Sequence, residues 1–294
     1  MSLSKPILTL SARELSALLS PYFCPLSFWI QKHLKPPSEP FPALPSDVDR
    51  LLKKSVEESW KKHRRLPLWL ESLGIEGEPI FPRPTWRNFF VLYPHKKGSI
   101  RIHGEPDEVI LLDNGELHII DYKLSAPKQA NSDTERMYAV QLLVYAYIAA
   151  KVTLSPLPAK ARNLSLIYLT LKAEGHAGTL GDLDDPEHLW LHFHAQRQPM
   201  DEYLHYPSKA LEDTTHLSCQ RKIESLSDLI ECLIERAVDI VLSPTPPASQ
   251  SDWADFYVRV VGALAPHIEH LKESLSQKKT RSQKQATSEV QRER

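Results

Sequence analysis

Glycine is scarce in this chain, with 9 among 294 residues against 24 prolines. A proline fixes its own backbone angle, so that balance implies stiff connections between elements. Cysteine is scarcer still. Cys24, Cys219 and Cys232 are scattered and odd in number, which excludes a disulfide framework as the organising principle. Charge of one sign is lacking too: 36 basic and 37 acidic residues leave a formal net charge of −1. No global basic field marks the chain for nucleic acid, so any such surface must be local. The longest apolar run, Ala139 to Ala150, is interrupted by Gln141 and is too short to span a bilayer. The first residues, MSLSKPILTLSARELS, hold no apolar core of the signal-peptide kind, and a cytoplasmic location is expected. There is no Walker-type phosphate loop, so any motor would be a separate protein.

What is present is an ordinary globular composition, 41% hydrophobic and 25% charged, long enough to bury a real core. Ser11-Ala12-Arg13-Glu14 fits a capping box and predicts a helix through Leu19. A second helix is expected from Ser27 to about Leu34. A proline-rich linker follows from Pro36 to Pro45, and then a helix capped by Ser46. From Trp86 the pattern turns to strands: Asn88–Tyr93, Ser99–His103, Asp107–Leu112 and Leu117–Tyr122. Pro94–Gly98 reads as a loop and Asp113-Asn114-Gly115 as a hairpin turn. A long helix is predicted from about Ser132 to Lys151. Strands follow at Asn163–Leu171 and Leu189–Phe193, and helices at Leu226–Leu242 and Asp252–Leu275. The order predicts an α/β or α+β sandwich with helices on a mixed sheet. The divisions are an N-terminal helical region (1–85), a core (86–200), a C-terminal helical region (201–275) and a disordered polar tail (276–294).

The chemistry concentrates between Ile102 and Ala149. Asp107 and Asp121 are 14 residues apart across the hairpin turn. If the strands pair through that turn, both carboxylates reach one end of the sheet, a hard-oxygen site suited to Mg²⁺ beside a phosphate. Asp121 and Lys123, at i and i+2, share a strand face, and Tyr122 points to the other. A lysine beside a bound metal can orient or deprotonate water and offset developing negative charge. Asp-x-Lys alone also marks many surface strand ends. Tyr138, Gln141, Leu142 and Tyr145 fall on one helix face. Gln141, inside an apolar run, needs a hydrogen-bond partner, in the site or on neighbouring backbone.

These blocks resemble the PD-(D/E)XK nuclease superfamily, in particular its RecB-like branch, which includes RecB and AddB nuclease domains and CRISPR-associated RecB-like exonucleases. The branch pattern G-x-x-D, (D/E)-x-K, Q-x-x-x-Y stands here as Gly104 to Asp107, Asp121-Tyr122-Lys123 and Gln141 to Tyr145. The resemblance implies an α/β, restriction-endonuclease-like core, a central mixed sheet flanked by helices, with helical N- and C-terminal extensions. It implies a Mg²⁺- or Mn²⁺-dependent DNA nuclease acting on single strands or ends. Asp107 and Asp121 would be metal ligands, Lys123 would activate water, and Gln141 and Tyr145 would support the site and the strand. His63 is the candidate for the family's upstream metal-binding histidine, though the glycine that usually precedes it is missing. Lys61, Lys62, Arg64, Arg65, Lys96 and Lys97 are the candidate phosphate contacts.

Many members of that branch also hold an iron–sulfur cluster on four cysteines. Cys24 matches the N-terminal one, but Ser251, Ala254 and Val260 stand at the other three positions. One thiolate cannot hold a cluster that needs four ligands, so none is expected. The C-terminal helix would then be held by packing of Trp253, Phe256 and Tyr257. Loss of those ligands opens the alternative of an inactive DNA-binding or scaffolding subunit of a repair or defence complex, with a separate helicase as the partner class. His192 and His194 on one strand face, and the acidic loop Asp182 to Glu187, read as solvated surface.

Overall fold

The computed structural model describes residues 6–34, 43–129, 132–152, 160–174, 190–212 and 222–247. The expected helix 252–275, the polar tail and the positions matching the cluster ligands lie outside them. The elements run β1 (Leu8–Ser11), α1 (Ala12–Ala17), α2 (Pro25–Leu34), α3 (Ala43–His63), α4 (Leu68–Glu71), β2 (Glu78–Pro79), β3 (Phe90–His95) and β4 (Gly98–His103). Then come β5 (Glu108–Leu111), β6 (Leu117–Lys123), α5 (Asp133–Ala149), β7 (Ala161–Glu174), β8 (Trp190–Pro199), α6 (Asp201–His205) and α7 (Leu226–Val241). The mixed α/β class read from the sequence is the class observed.

The chain divides into two compact units. The larger holds residues 1–23 and 39–237, the smaller 24–38 and 238–294. In the smaller unit Trp29 stacks on His33 at 4.1 Å between ring centroids. Trp29 Nε1 donates to the Ser243 carbonyl, and His33 Nε2 stands 2.8 Å from that of Val241. Those contacts tie α2 to the stretch just after residue 238.

In the larger unit two sheets form, one in the order β1-β4-β3 and one in the order β2-β5-β6-β7-β8. The second carries the site. β5 and β6 pair antiparallel through the expected turn, where Gly115 takes φ +79°, and β6 pairs parallel with β7 after the α5 crossover. One face of this sheet presents Ile110, Ile120 and Ile167 to Val56 of α3 and Leu70 of α4. The other face belongs to α5, whose Val140, Leu143 and Val144 are fully buried. Helices therefore cover both faces, which is why β6 reads as an almost unbroken apolar run.

Several local readings are corrected. The helix expected to be capped at Ser46 already begins at Ala43, inside the stretch read as a linker. The strand expected over 88–93 lies at 90–95, and most of the expected loop 94–98 belongs to the β3–β4 hairpin, with Lys96 and Lys97 at its tip. The strand β1 was missed, because four residues with only two buried leucines give too short an alternation to separate from a helix start. Cys24 is a free thiol, but Cys232 is disulfide-bonded, a pairing that scattered spacing does not reveal. The capping box at Ser11 forms as read: Ser11 Oγ accepts from Glu14 N at 3.2 Å, and Ser11 N donates to Glu14 Oε2 at 2.8 Å.

Candidate active site

The register of the β5–β6 hairpin builds the site. Glu108 pairs with Ile120, so Asp107, one residue before β5, falls opposite Asp121. Asp107 Oδ2 accepts the Tyr122 backbone N–H at 2.6 Å. Asp121 and Lys123 emerge on the same face, with Lys123 Nζ 2.6 Å from Asp121 Oδ2. Tyr122 points the other way and meets Trp69, with ring centroids 5.8 Å apart.

The helix α5 supplies a brace. Ser132 caps it, accepting from Glu135 N at 3.2 Å, and Asp133 and Glu135 in the first turn favour the positive end of its dipole. Gln141 then bonds three groups through one amide. Its Oε1 accepts from Lys123 Nζ at 3.2 Å, and its Nε2 donates to Asp121 Oδ1 at 3.0 Å and to the Tyr145 hydroxyl oxygen at 2.7 Å. Tyr145 donates onward to the Glu105 carbonyl at 3.4 Å. Lys123 Nζ also sits 4.2 Å from the centroid of the Tyr138 ring. The polar intrusion in the apolar run therefore finds its partners in the site and not in nearby backbone.

Gly104 has a specific task. A methyl group there would stand 2.5 Å from Cδ1 and 2.6 Å from Cε1 of Tyr145. The Tyr145 ring is 4% exposed and cannot swing clear without disturbing Gln141. Gly104→Ala is therefore expected to lower the rate of any reaction at this centre by about 10²-fold, the scale of an ångström misplacement. The same clash should also lower stability, by about 1–3 kcal/mol, the usual cost of overpacking a buried site. Turnover and thermal melting, measured side by side, check this; an alanine variant with wild-type turnover would remove Tyr145 and Gln141 from the site.

The electrostatics separate the two carboxylates. Burial drives the Asp107 carboxyl well above its ordinary range, and the charge of Asp121 adds to the shift. Lys53 and the Tyr122 N–H pull it part of the way back. Two acidic groups thus crowd one another, a stored repulsion that a divalent cation would relieve. Asp121 Oδ2 is buried and makes no hydrogen bond, because the Lys123 ammonium approaches it outside bonding geometry. A buried carboxylate oxygen that an ammonium faces without a hydrogen bond, beside a second carboxylate, suits a hard cation of the Mg²⁺ type, which takes one or two carboxylates and keeps several waters. The Tyr145 hydroxyl stays protonated, its pKa raised by burial and then by the charge of Asp121.

Two further participants were not foreseen. Lys53 Nζ lies 2.8 Å from Asp107 Oδ1 and 2.9 Å from Asp49 Oδ2. Burial alone would lower its pKa, but Asp107 and Asp49 together carry it above the ordinary value. In the sequence Lys53 belonged to a basic pair on a helix face, and the i, i+4 spacing from Asp49 was the sole local hint. Arg83 grips Glu108, which is 1% exposed, through Nε at 3.0 and 3.1 Å and Nη2 at 2.8 Å. Arg83 Nη2 also donates to the Lys53 carbonyl. Burial pushes Glu108 up to about 7 despite that guanidinium.

His63 is not brought to this centre. It is exposed in the last turn of α3, ten residues beyond Lys53 and so about 15 Å further along the helix, on another face. Among the described residues no three His, Cys, Asp or Glu side chains gather as a metal-binding group. Lys61, Lys62, Arg64 and Arg65 crown the same end of α3 in full exposure, and Lys96 and Lys97 are exposed at the β3–β4 turn. Lys61 and Arg64 border a cavity of about 620 Å³ with Trp60, Phe81 and Arg83. His194 is exposed. No helix among the described residues is long and apolar enough to cross a membrane.

The family model of the PD-(D/E)XK nuclease superfamily matches residues 27–246, and the chain belongs to that superfamily. Among solved structures, one described as "Crystal structure of SSO0001" is similar at 15% identity and a TM-score of 0.32, over 84% of this chain and 91% of that one. No curated protein matches at a significant level.

Proposed function

We propose that this chain is a RecB-like, metal-dependent DNA nuclease that hydrolyses phosphodiester bonds in single strands or at ends. Membership of the PD-(D/E)XK nuclease superfamily, whose members generally use divalent metals, makes nuclease activity the starting point. The observation that carries the finer reading is the convergence of Asp107, Asp121 and Lys123, braced by Gln141 and Tyr145. Those five residues tie all three sequence blocks into one hydrogen-bonded unit.

Asp107 and Asp121 would hold Mg²⁺ or Mn²⁺, which supplies Lewis acidity at the scissile phosphate and acidifies bound water. The residues themselves do the rest. Lys123, held between Asp121 and Gln141, can orient the attacking water by hydrogen bonding. Its ammonium also stands ready to offset the charge that builds on the phosphate oxygens. Gln141 holds both members of that pair at fixed separation, so little reorganisation is needed as the reaction proceeds. Lys61, Lys62, Arg64, Arg65, Lys96 and Lys97 are exposed, Lys61 in an ion pair with Glu57, and would meet phosphates in contacts that position a strand without reading its sequence. His63 has no part in this proposal.

The test is metal withdrawal. End-labelled single-stranded DNA is incubated with the full chain in Mg²⁺ or Mn²⁺, then with excess EDTA, then with metal restored. Cleavage should appear, stop and return. Cleavage indifferent to EDTA would sink the metal-dependent reading. Tight binding of the strand with no cleavage in either metal would replace it with a DNA-binding subunit.

A further inference from the structure

We infer that Trp86 forms, with its neighbours on β3 and β4, a stacking platform for an unpaired nucleobase next to the catalytic loop. The inference rests on the nuclease reading for its biological sense, but its own observations are separate.

The sheet β1-β4-β3 buries one face, where Leu8, Leu10, Val91, Ile100 and Ile102 are all under 9% exposed. The pairings Phe90 with His103 and Leu92 with Arg101 put those side chains on the opposite, half-exposed face. Trp86 belongs to this aromatic and basic surface and is 44% exposed. It is not a loose surface residue. Asn88 Oδ1 accepts from Thr85 N at 2.7 Å and from Thr85 Oγ1 at 3.0 Å, closing a turn that contains Trp86. Arg101 donates to the Trp86 carbonyl. The Arg87 and Arg101 guanidiniums lie over the ring, 5.0 and 5.6 Å from its centroid, and His103 meets it edge-on at 6.4 Å. Arg101 also caps Phe90 at 4.3 Å.

A fixed, half-exposed indole with two guanidiniums over it, one of them on the exposed Arg87 side chain that a base can displace, joins an aromatic surface to positive charge. Unpaired bases stack on such rings whatever their identity, and the flanking arginines meet the adjoining phosphates. A duplex keeps its bases stacked on one another and offers no free π face, so the chemistry selects single strands. The position fits the reading of the site. His103 ends β4, and Asp107 follows four residues later, so they stand at most about 14 Å apart. Gly104 N donates to the Phe89 carbonyl at 3.1 Å, and the Phe89 ring meets Tyr145 at 6.3 Å. The loop carrying Asp107 is therefore fastened to the strand that carries the platform. A base held on Trp86 would place phosphates of the same strand within reach of the carboxylates.

The experiment reads binding, not cleavage. The full chain is titrated in EDTA against fluorescein-labelled oligo-dT and against a labelled duplex, by anisotropy. Trp86→Ala should weaken single-strand affinity about 5- to 150-fold, the range set by loss of one base–aromatic stack, and leave duplex affinity within about twofold. Trp86→Phe should keep most of the single-strand affinity. In the wild-type chain, photolysis of a strand carrying 5-iododeoxyuridine should join it to the peptide containing Trp86. That readout requires no variant to fold. Equal single-strand binding by wild type and Trp86→Ala, parallel loss for single strand and duplex, or absence of the Trp86 adduct would each overturn the platform. A Trp86-dependent single-strand affinity in a protein that cuts nothing would sink the nuclease reading alone.

Discussion

Lys123→Ala is expected to reduce cleavage of labelled single-stranded DNA by about 10²–10³-fold, the scale set by removing one preorganised group from a developing negative charge. Three features give Lys123 that weight. Asp121 and Gln141 hold its ammonium at 2.6 and 3.2 Å, and the Tyr138 ring lies 4.2 Å beneath it. It is 16% exposed, so its field is poorly screened. It also stands on the same strand face as Asp121, the side to which the proposed mechanism brings the phosphate. Truncation leaves Asp121 Oδ2 with no cation beside it and Gln141 Oε1 without its donor, so the carboxylate pair repels more strongly. Lys123→Arg should recover little, because a planar fork does not replace a compact ammonium in this cage. Strand affinity should fall far less than rate, since the exposed basic residues lie elsewhere. The check is a single-turnover time course for wild type and both variants, with anisotropy for binding. An alanine variant that cuts at the wild-type rate would refute the assignment.

Arg83→Met should destabilise the chain progressively as pH rises above 7, toward the about 3–5 kcal/mol that stranding one charged member of a buried ion pair costs. For a chain of this size that corresponds to a melting point lower by on the order of 10 °C. Glu108 would lose all its guanidinium bonds while remaining 1% exposed, and the Lys53 carbonyl would lose a donor. The pH dependence gives the result a signature. Glu108 is already raised from 4.5 to about 7 in the folded chain. Between those values the folded state binds more protons than the unfolded one, so this group's contribution to stability falls as pH rises and levels off above about 7. Without Arg83 the folded value moves higher still, so the variant keeps losing ground above pH 7. The deficit should be small near pH 4, where Glu108 is neutral in the folded state with or without Arg83, and largest in mild alkali. Urea unfolding of both proteins across that range decides it; a deficit that is absent, or flat with pH, would show that the pair contributes nothing.

The same anchor bears on the site. Arg83 bonds the Lys53 carbonyl, and the Lys53 side chain pairs with Asp107. Loss of Arg83 loosens the helix that delivers that ammonium, so its effects reach the carboxylates without any direct contact.

Asp107, Asp121, Lys123, Gln141 and Tyr145 were legible because each relation among them is local and periodic. A hairpin turn aligns the two aspartates, a two-residue step puts Lys123 beside Asp121, and a four-residue step puts Tyr145 beside Gln141. The need of Gln141 for a partner was also readable, since an apolar run cannot bury an amide without cost. Lys53 was not legible. It lies 54 residues before Asp107, and nothing in a helix of alternating lysines and glutamates says which one turns inward. His63 shows the converse: its residue type suits a metal, but the helix sets it in an exposed last turn, ten residues beyond Lys53.

The chain by itself therefore determined the strand–turn–strand–helix order of the centre, the pairing of its acids and the brace behind them. Short-range backbone geometry leaves those residues few alternatives. Tertiary structure alone decided which distant cations arrive: Lys53 on Asp107, Arg83 under Glu108, and Arg101 beside Trp86. Such pairs depend on how whole helices and sheets pack against one another. That packing is settled by apolar burial summed over many residues, so no local spacing could encode it.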